Sequence, residues 1–451
     1  MISKHFHITF YLVRWLKLHE FFVIVFFSLL GLIVGCVTGL IPGLHVNTIS
    51  LILFSSVGQI ALLLRPLSLS DSLMMTTISS FIVSVAIAHT FVNIIPATFL
   101  GAPDEETALS VLPAHKLLLE GKGYEAVALS ALGSFGAIIF STALIFPFKF
   151  VLSRPLDLYS ILNNNMFWIL LAIVILMIAT ERRGGRCAGI RAPLYALSVI
   201  ILSGVFGIIV LDMPVDSPVS LSSTVLFPAL AGLFGMSTQI HSLLSEPVIK
   251  EQDIEEPKIF NKKSTTLSIA AGTFAGALVS VIPGVTSAIG TIIAMTTRGK
   301  TDERQTIVTL SAVNTACAFL VIIALFVILK ARSGVTIVIS SLIHIEEWSR
   351  ISPPIQLIYL LIPIVVAGSL SYPLTCFIGR KIAKHINRIS YRTIIKITIV
   401  MLSLLVFVFT GFIGLIVLSV ATSIGLIPIF LGVRRSNCMG VLIVPLMLHF
   451  L

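Results

Sequence analysis

Long apolar stretches dominate the chain, and short polar segments separate most of them. A helix needs roughly 20 apolar residues to cross the hydrocarbon core of a bilayer, and many of these stretches have that length. The stretches of suitable length lie at 124–148, 166–180, 193–211, 225–244, 307–330, 355–379, 394–412 and 413–431. The pattern predicts an all-α polytopic membrane protein with about 10–12 membrane segments.

Two further apolar stretches are interrupted by a Pro-Gly pair. The stretch 21–64 carries Pro42-Gly43 near its middle, and 266–296 carries Pro283-Gly284. Proline removes a backbone donor and glycine lets the chain reverse, so each pair is expected to end one helix before another begins. Basic residues flank both stretches on both sides, which predicts two helical hairpins that enter and leave the membrane on the same side.

The chain also resembles itself at two places, in the same order. GLIVGCVTGLIPG at 31–43 matches GTFAGALVSVIPG at 272–284, and SGVFGIIVL at 203–211 matches TGFIGLIVL at 410–418. These matches predict two repeats, each with one broken hairpin. The predicted division is a cytoplasmic or interfacial segment at 1–20, a first transmembrane repeat at 21–245, a polar linker at 246–265 and a second transmembrane repeat at 266–451.

Composition agrees with the hydropathy pattern. Apolar residues make up 57% of the 451 residues, charged residues only 11%, and the mean hydropathy is +1.06. Soluble proteins carry about 25% charged residues, which excludes a soluble enzyme, a disordered regulator and a secreted disulfide scaffold. The net charge of +10 comes from basic residues between the apolar runs, so we expect no nucleic-acid partner.

The two predicted hairpin tips are the first candidate binding site. A helix that restarts after a break exposes unpaired N–H groups and the positive end of its dipole, which attract anions. Broken helices at corresponding positions of two repeats also point to the binding site of a transporter. The candidate residues at the tips are Pro42, Gly43, His45, Asn47, Thr48, Pro283, Gly284, Thr286 and Ser287. The alternative is that the breaks only kink packed helices and the polar residues cap them.

Polar side chains inside apolar runs form a second candidate set. His89 and Asn93 lie four residues apart before Pro96, and Asn314 lies in the run after the second hairpin. Such side chains are costly in a membrane unless they face other helices or a wet cavity, so they are candidate lining residues. A hydrogen bond between helices is the alternative for each. His45 or His89 could also carry a proton.

Motifs for other chemistries are missing from the sequence. There is no GxxxxGK[ST] loop for ATP, no GxSxG elbow, no metal-ligand spacing and no acidic residue in the middle of an apolar run. The sequence therefore predicts a protein that is not an enzyme and has no cofactor. It leaves open whether Na+ or H+ is a coupling ion.

Three segments carry a resemblance to a known family. They are GLIVGCVTGLIPGLHVNTIS at 31–50, the block from Ile94 to Ala137 with its helix break and Gly-rich turn, and FPALAGLFGMS at 227–237. They resemble TctA, the large permease subunit of the tripartite tricarboxylate transporters. The polar Leu-His-Val-Asn segment after the first Pro-Gly is similar to the same segment in an archaeal-type branch of the family.

The resemblance implies a secondary transporter for citrate-like carboxylates in the cytoplasmic membrane. It also implies a small membrane subunit, an extracytoplasmic solute-binding protein and an ion gradient as driving force. The two tips and the segment from Asn93 to Pro103 would form the substrate site.

Residues and resemblance together predict a multi-pass permease of the cell membrane. It would move an anionic organic solute, a di- or tricarboxylate in the first place, by alternating access. A polyprenyl-phosphate translocase is the alternative within transport, because IPGVTSAIGT at 282–291 resembles a Pro-Gly-Val-Ser motif of such carriers. A membrane scaffold without cargo is the alternative of another class.

Overall fold

The fold is helical throughout the part of the chain that can be described. The computed structural model describes residues 2–41, 46–101, 111–153, 156–181, 191–215, 218, 225–245, 250–256, 261–282, 287–298, 302–386 and 391–451. Within these ranges every regular element is a helix and no strand occurs, as the apolar pattern predicts.

Nineteen α-helices are numbered below in chain order. They are α1 (Ile2–Gly39), α2 (Val46–Ser55), α3 (Val57–Leu64), α4 (Asp71–Val92), α5 (Ile94–Phe99), α6 (Val111–Leu119), α7 (Gly123–Leu152), α8 (Leu158–Asn164), α9 (Met166–Thr180), α10 (Arg191–Val210), α11 (Leu226–Leu230), α12 (Ser237–Ser245), α13 (Lys262–Val281), α14 (Ser287–Arg298), α15 (Glu303–Ile328), α16 (Gly334–Leu342), α17 (Ile355–Ile386), α18 (Tyr391–Leu431) and α19 (Gly440–His449). A π-helical segment, Ala231–Met236, joins α11 to α12, and 3-10 turns cover Arg65–Leu67 and Arg435–Met439.

Many of these helices are long and apolar enough to cross a membrane. Among the described residues eight single helices meet this condition, and two bent pairs raise the number to ten. The pairs are Val46–Ser55 with Val57–Leu67 and Leu158–Asn164 with Met166–Ala179. Ten spans meet the lower end of the predicted 10–12, so the chain is a polytopic helical membrane protein.

One break lies at a boundary between two predicted spans, and another lies inside a predicted span. Gly411 has a φ of 61°, which interrupts α18 at the boundary expected between 394–412 and 413–431. The predicted span 225–244 is divided into α11, the π-helical segment and α12. In a π-helix the hydrogen bonds join residues five apart, and such segments often mark functional sites.

The helices form two bundles with separate hydrophobic cores. The first bundle contains α1–α7 and α13–α17, and buries side chains such as Phe91 and Phe319. The second contains α9–α12, α18 and α19, and buries side chains such as Leu170 and Phe234. Helices from both predicted repeats occur in each bundle, so neither bundle corresponds to one predicted repeat.

Contacts between the described parts of the two bundles are sparse. The short helix α8 connects them along the chain. The end of α13 and the start of α14 also reach across, because Val279, Ile282 and Ile289 are buried in the core of the second bundle. Gln239 of α12 also donates a hydrogen bond to the Leu100 carbonyl oxygen after α5. The two bundles are therefore well packed internally and joined at a few places.

Glycines at the first sequence match occupy equivalent positions in two helix pairs. A Cβ added at Gly35 of α1 would lie 2.5 Å from the Val85 carbonyl oxygen of α4, and one at Gly276 of α13 would lie 2.6 Å from the Val313 carbonyl oxygen of α15. Gly31 and Gly272, one turn earlier, meet the same helices in the same way. Small residues spaced by four let membrane helices approach closely. The two matched segments thus pack alike, and the duplication itself stays a prediction.

The two interrupted stretches differ in how their second arms pack. In the second stretch α14 folds back against α13, and Arg298 at its end donates hydrogen bonds to the Ser264 carbonyl oxygen (3.3 Å) and to Gln305 Oε1 (3.1 Å). In the first stretch α2 packs mainly on α4 and α16, and a 60° bend separates it from α3. The hairpin geometry is thus more compact in the second stretch.

The close approach at Gly276 predicts a specific stability difference. Gly276→Ala is expected to destabilise the protein by about 1–3 kcal/mol, because the new methyl group meets a backbone oxygen that has little room to move. Gly58→Ala is the matched control, since nothing lies within 4 Å of the Cβ position there. Thermal unfolding of the purified protein in detergent measures both. Equal unfolding temperatures for the two variants would contradict the packing described here.

Candidate functional site

A cavity of about 630 Å³ lies at the boundary between the two bundles. Its walls come from α2, α4, α13, α14 and α15 of the first bundle and from α10, α11 and α19 of the second. A site between two loosely joined bundles can change its exposure when one bundle moves against the other.

The first residues of both return helices face this cavity. Val46 and Asn47 begin α2, and Ser287 begins α14; all three line the cavity. Their helices direct their first backbone N–H groups and the positive ends of their dipoles toward it. Asn47 Oδ1 accepts a hydrogen bond from the Gly334 amide (2.8 Å), which fixes the start of α2 against α16.

Ser287 and Asn314 add polar groups to the same wall. Ser287 is only 6% exposed, and its Oγ has no hydrogen-bond partner among the described residues. Asn314 lies on α15, is buried, and lines the cavity as the sequence suggested. The structure therefore brings Asn47, Ser287 and Asn314 to one cavity, and their part in binding a substrate stays a prediction.

Other predicted site residues lie elsewhere. His89, Asn93, Pro96 and Thr48 do not line this cavity, although Ala86 and Ile87 of the same helix α4 do. His89 is buried, with Nδ1 3.3 Å from Thr38 Oγ1 of α1, which is the contact between helices that was the alternative for this residue. The predicted tip residues outside the described part of the chain are Pro42, Gly43, His45, Pro283, Gly284 and Thr286.

Arg332 is a cavity residue that the sequence reasoning missed. The chain leaves α15 through Leu329, whose φ is 53°, and Ser333 caps α16 in a capping box with Thr336. The Arg332 amide donates to Thr336 Oγ1 (2.9 Å), so this turn holds the side chain at the cavity. Its only sequence signal was a basic residue shortly after the end of a long apolar run.

The guanidinium of Arg332 combines an aromatic contact with unused donors. Its central carbon lies 4.8 Å from the centroid of the Tyr159 ring. Nε and Nη1 are buried and have no hydrogen-bond partner within the described ranges. Burial lowers the pKa of Arg332, but the ordinary pKa of an arginine is so far above neutral that the side chain remains charged at pH 7.

A half-buried cation with unused donors is suited to holding an anion. Removing a charge from water is expensive unless a partner replaces the lost solvation. A carboxylate or phosphate can accept two hydrogen bonds from one guanidinium, which makes such pairs both strong and directional. Asp212 and His449 also line the cavity, but they lie at its exposed edge.

Another arginine, Arg435, is almost fully buried and has a structural setting. Arg435 is 5% exposed and donates to the Leu233 carbonyl oxygen (3.0 Å), to Ser237 Oγ (2.7 Å) and to further oxygens of the π-helical segment and α12. Glu181 holds the same loop by accepting from the Arg434 amide (2.8 Å). These contacts fix the turn that leads into α19, and α19 forms one wall of the cavity.

The chain matches the tripartite tricarboxylate transporter TctA family over residues 25–440. It belongs to this family. An uncharacterized protein of Methanocaldococcus jannaschii is 28% identical over 432 residues, which cover 94% of this chain and 98% of the relative. No solved structure matches the chain.

Membership of the TctA family confirms the resemblance drawn from three sequence segments, and the archaeal relative agrees with the archaeal-type branch. The block 94–137 covers α5 and the first half of α7, and 227–237 covers the π-helical segment that Arg435 binds. TctA proteins are transporters, which agrees with the absence of enzyme motifs in the sequence.

The cluster around Arg435 predicts a pH dependence of stability. Burial, together with the nearby charges of Arg435 and His241, lowers the pKa of His115 on α6 from 6.5 to about 4. The unfolded chain therefore binds a proton at His115 more readily than the native protein does. Stability is retained above pH 6.5 and is expected to fall by about 3 kcal/mol as the pH drops toward 4.

Thermal unfolding between pH 7.5 and pH 4.5 tests this dependence. His115→Gln is expected to flatten the profile over this range, because the group that takes up the proton on unfolding is gone. His385→Gln, at the exposed end of α17, is the matched control and keeps the slope of the wild type. A His115→Gln profile parallel to that of the wild type would show that another group causes the decline.

Proposed function

We propose that the protein is the permease of a tripartite transport system and moves an anionic organic solute across the cell membrane by alternating access. The family name makes a di- or tricarboxylate the first expectation for the solute. The observation that carries the proposal is the Arg332 guanidinium, which offers unused donors inside a cavity between two bundles. A scaffold without cargo has no need of such a group.

The arrangement of the bundles supports alternating access. Helix contacts are extensive inside each bundle and sparse between the described parts of the two, so one bundle can move against the other without breaking its own core. The cavity lies at this boundary and takes walls from both sides. A movement of the second bundle would therefore open or close the route to Arg332.

The charges at the helix ends support an assignment of sidedness. Lys262, Lys263, Arg298 and Arg304 gather where α13 begins, α14 ends and α15 begins. The positive-inside tendency assigns this end to the cytoplasm. Arg332 follows the other end of α15, whose 26 residues span about 39 Å, so we propose that the cavity faces the extracytoplasmic side. Tyr359 donates to Glu20, and the Trp348 amide donates to the Phe326 carbonyl oxygen, so Glu20 lies at the same end of the first bundle as the end of α15. The proposed orientation therefore replaces the expectation of a cytoplasmic segment at 1–20.

An extracytoplasmic cavity suits delivery of the solute by a binding protein. The family is part of a tripartite system, so we propose a small membrane subunit and a solute-binding protein as partners. We further propose that an ion gradient, of Na+ or of H+, drives the transport cycle. A polyprenyl phosphate is the alternative solute, because its phosphate would bind the same guanidinium.

Arg332→Gln tests the anion site directly. Removing one partner of a buried charge pair costs about 2–5 kcal/mol, so we expect binding of the transported anion to weaken by roughly thirtyfold or more. The measurement is uptake of labelled carboxylates by proteoliposomes, with a polyprenyl phosphate assayed in parallel. Lys330→Gln is the matched control, since Lys330 also lies on the Tyr159 ring but is exposed and does not line the cavity.

Uptake of carboxylates that is equal in the Arg332→Gln variant and the wild type would contradict the proposed site. Translocation of the polyprenyl phosphate without uptake of any carboxylate would favour the lipid-carrier alternative.

Cys317 offers an independent test of the cavity and its orientation. It lies on α15 within the cavity wall and forms no disulfide with a described cysteine. In a variant that keeps only this cysteine, a membrane-impermeant thiol reagent is expected to label Cys317 from the extracytoplasmic side. Labelling from the cytoplasmic side alone would reverse the proposed orientation, and no labelling from either side would contradict the open cavity.

A further inference from the structure

We infer that the solute held in this cavity is an amphipathic monocarboxylate, with one anionic group on an apolar body, and not a small tricarboxylate. The inference rests on the proposed function, because it assigns the chemical class of the anion that Arg332 would bind. It follows from the size of the cavity, its walls and its balance of charge.

The cavity is large for a small carboxylate. Its volume of about 630 Å³ falls within the range of roughly 300–1,000 Å³ that is typical of sites enclosing a drug-sized ligand. A solute with a substantial body beyond its carboxylate would therefore be needed to displace the water from it.

Beyond Arg332 and the polar side chains of Asn47, Ser287 and Asn314, the walls are largely apolar on both sides. The first bundle contributes aliphatic side chains from α4 and α15, and the second contributes leucines from α11 and α19. The residues that form these walls are Ile87, Val321, Ile322, Leu226, Leu442 and Leu446. Burial of apolar ligand surface against such walls is favourable at about 25 cal/mol per Å², whereas a carboxylate placed there would lose its hydration without a donor in return.

The charges of the described lining leave room for about one anionic group. Arg332 contributes one positive charge, and the starts of α2 and α14 contribute about half a charge each. Asp212 at the exposed edge carries one negative charge. The sum is about +1, which one carboxylate neutralises. A tricarboxylate would bring two further charges into a space with low polarity, where each uncompensated ion costs several kcal/mol.

Binding to the purified full chain in nanodiscs tests the inference. The probes are 3-phenylpropionate, its uncharged amide and citrate, and isothermal titration gives each Kd. We expect 3-phenylpropionate to bind at least tenfold more tightly than citrate, and the amide to bind at least tenfold more weakly than 3-phenylpropionate. A Kd for citrate equal to or below that for 3-phenylpropionate would overturn the inference.

Two variants test the contribution of the apolar wall without changing any charge. Leu446→Asn is expected to weaken binding of 3-phenylpropionate by about tenfold, because a hydrophobic pocket discriminates by such factors for small changes in apolar contact. Met447→Asn is the matched control, since Met447 is the next residue of α19, is partly buried and does not line the cavity. Equal losses in the two variants would overturn the role of the wall.

Failure of this inference and failure of the proposed function give different results. If citrate binds more tightly than 3-phenylpropionate and Arg332→Gln abolishes its binding, the anion site stands and the monocarboxylate assignment is wrong. If no carboxylate binds, or if Arg332→Gln binds 3-phenylpropionate as the wild type does, both are wrong.

Discussion

A guanidinium placed in an apolar cavity is stable only if something there replaces the water it has lost. For Arg332 the described surroundings provide the face of Tyr159 and a turn that fixes its backbone, but they leave two of its nitrogens unused. The site is therefore electrostatically incomplete by itself, and the proposed anion would complete it. Two helix starts, a buried serine and an asparagine line the same cavity. These groups could add further hydrogen-bond donors for such an anion.

Reversible binding of an anion at such a site requires that the walls of the cavity can move apart. The packing of the two bundles allows this movement. Inside the first bundle the helices approach so closely at Gly35 and Gly276 that a methyl group has no room. In the second bundle Gly232 and Gly425 bring the π-helical segment equally close to α18. Between the bundles, the described residues show one such approach, where a Cβ at Gly101 would lie 2.5 Å from the Gln239 side chain of α12. Rigid bundles with a weak boundary are the mechanical condition for alternating access.

Much of the fold could be predicted from the sequence, because membrane helices follow from local composition. The spans, the interruption near Gly411 and the polar lining at Asn314 all depend on runs of neighbouring residues. Which neighbour a buried polar residue faces is a property of the three-dimensional packing, and His89 illustrates this by facing Thr38 on α1. Arg332 could not be assigned for the same reason: its place depends on a left-handed turn at Leu329, a residue that rarely adopts that conformation.

The hairpin of α13 and α14 is held in two different ways at its two ends. Its basic end is fixed to the first bundle by directional hydrogen bonds from Arg298, whereas its other end lies in the second bundle through aliphatic side chains such as Val279 and Ile289. Aliphatic contacts have no preferred direction, so the two surfaces can slide past each other. Hydrogen bonds have a preferred direction and resist such sliding. The hairpin is thus fixed to the first bundle at one end and free to slide against the second bundle at the other. A displacement of the second bundle would therefore act first on the start of α14, where Ser287 lines the cavity.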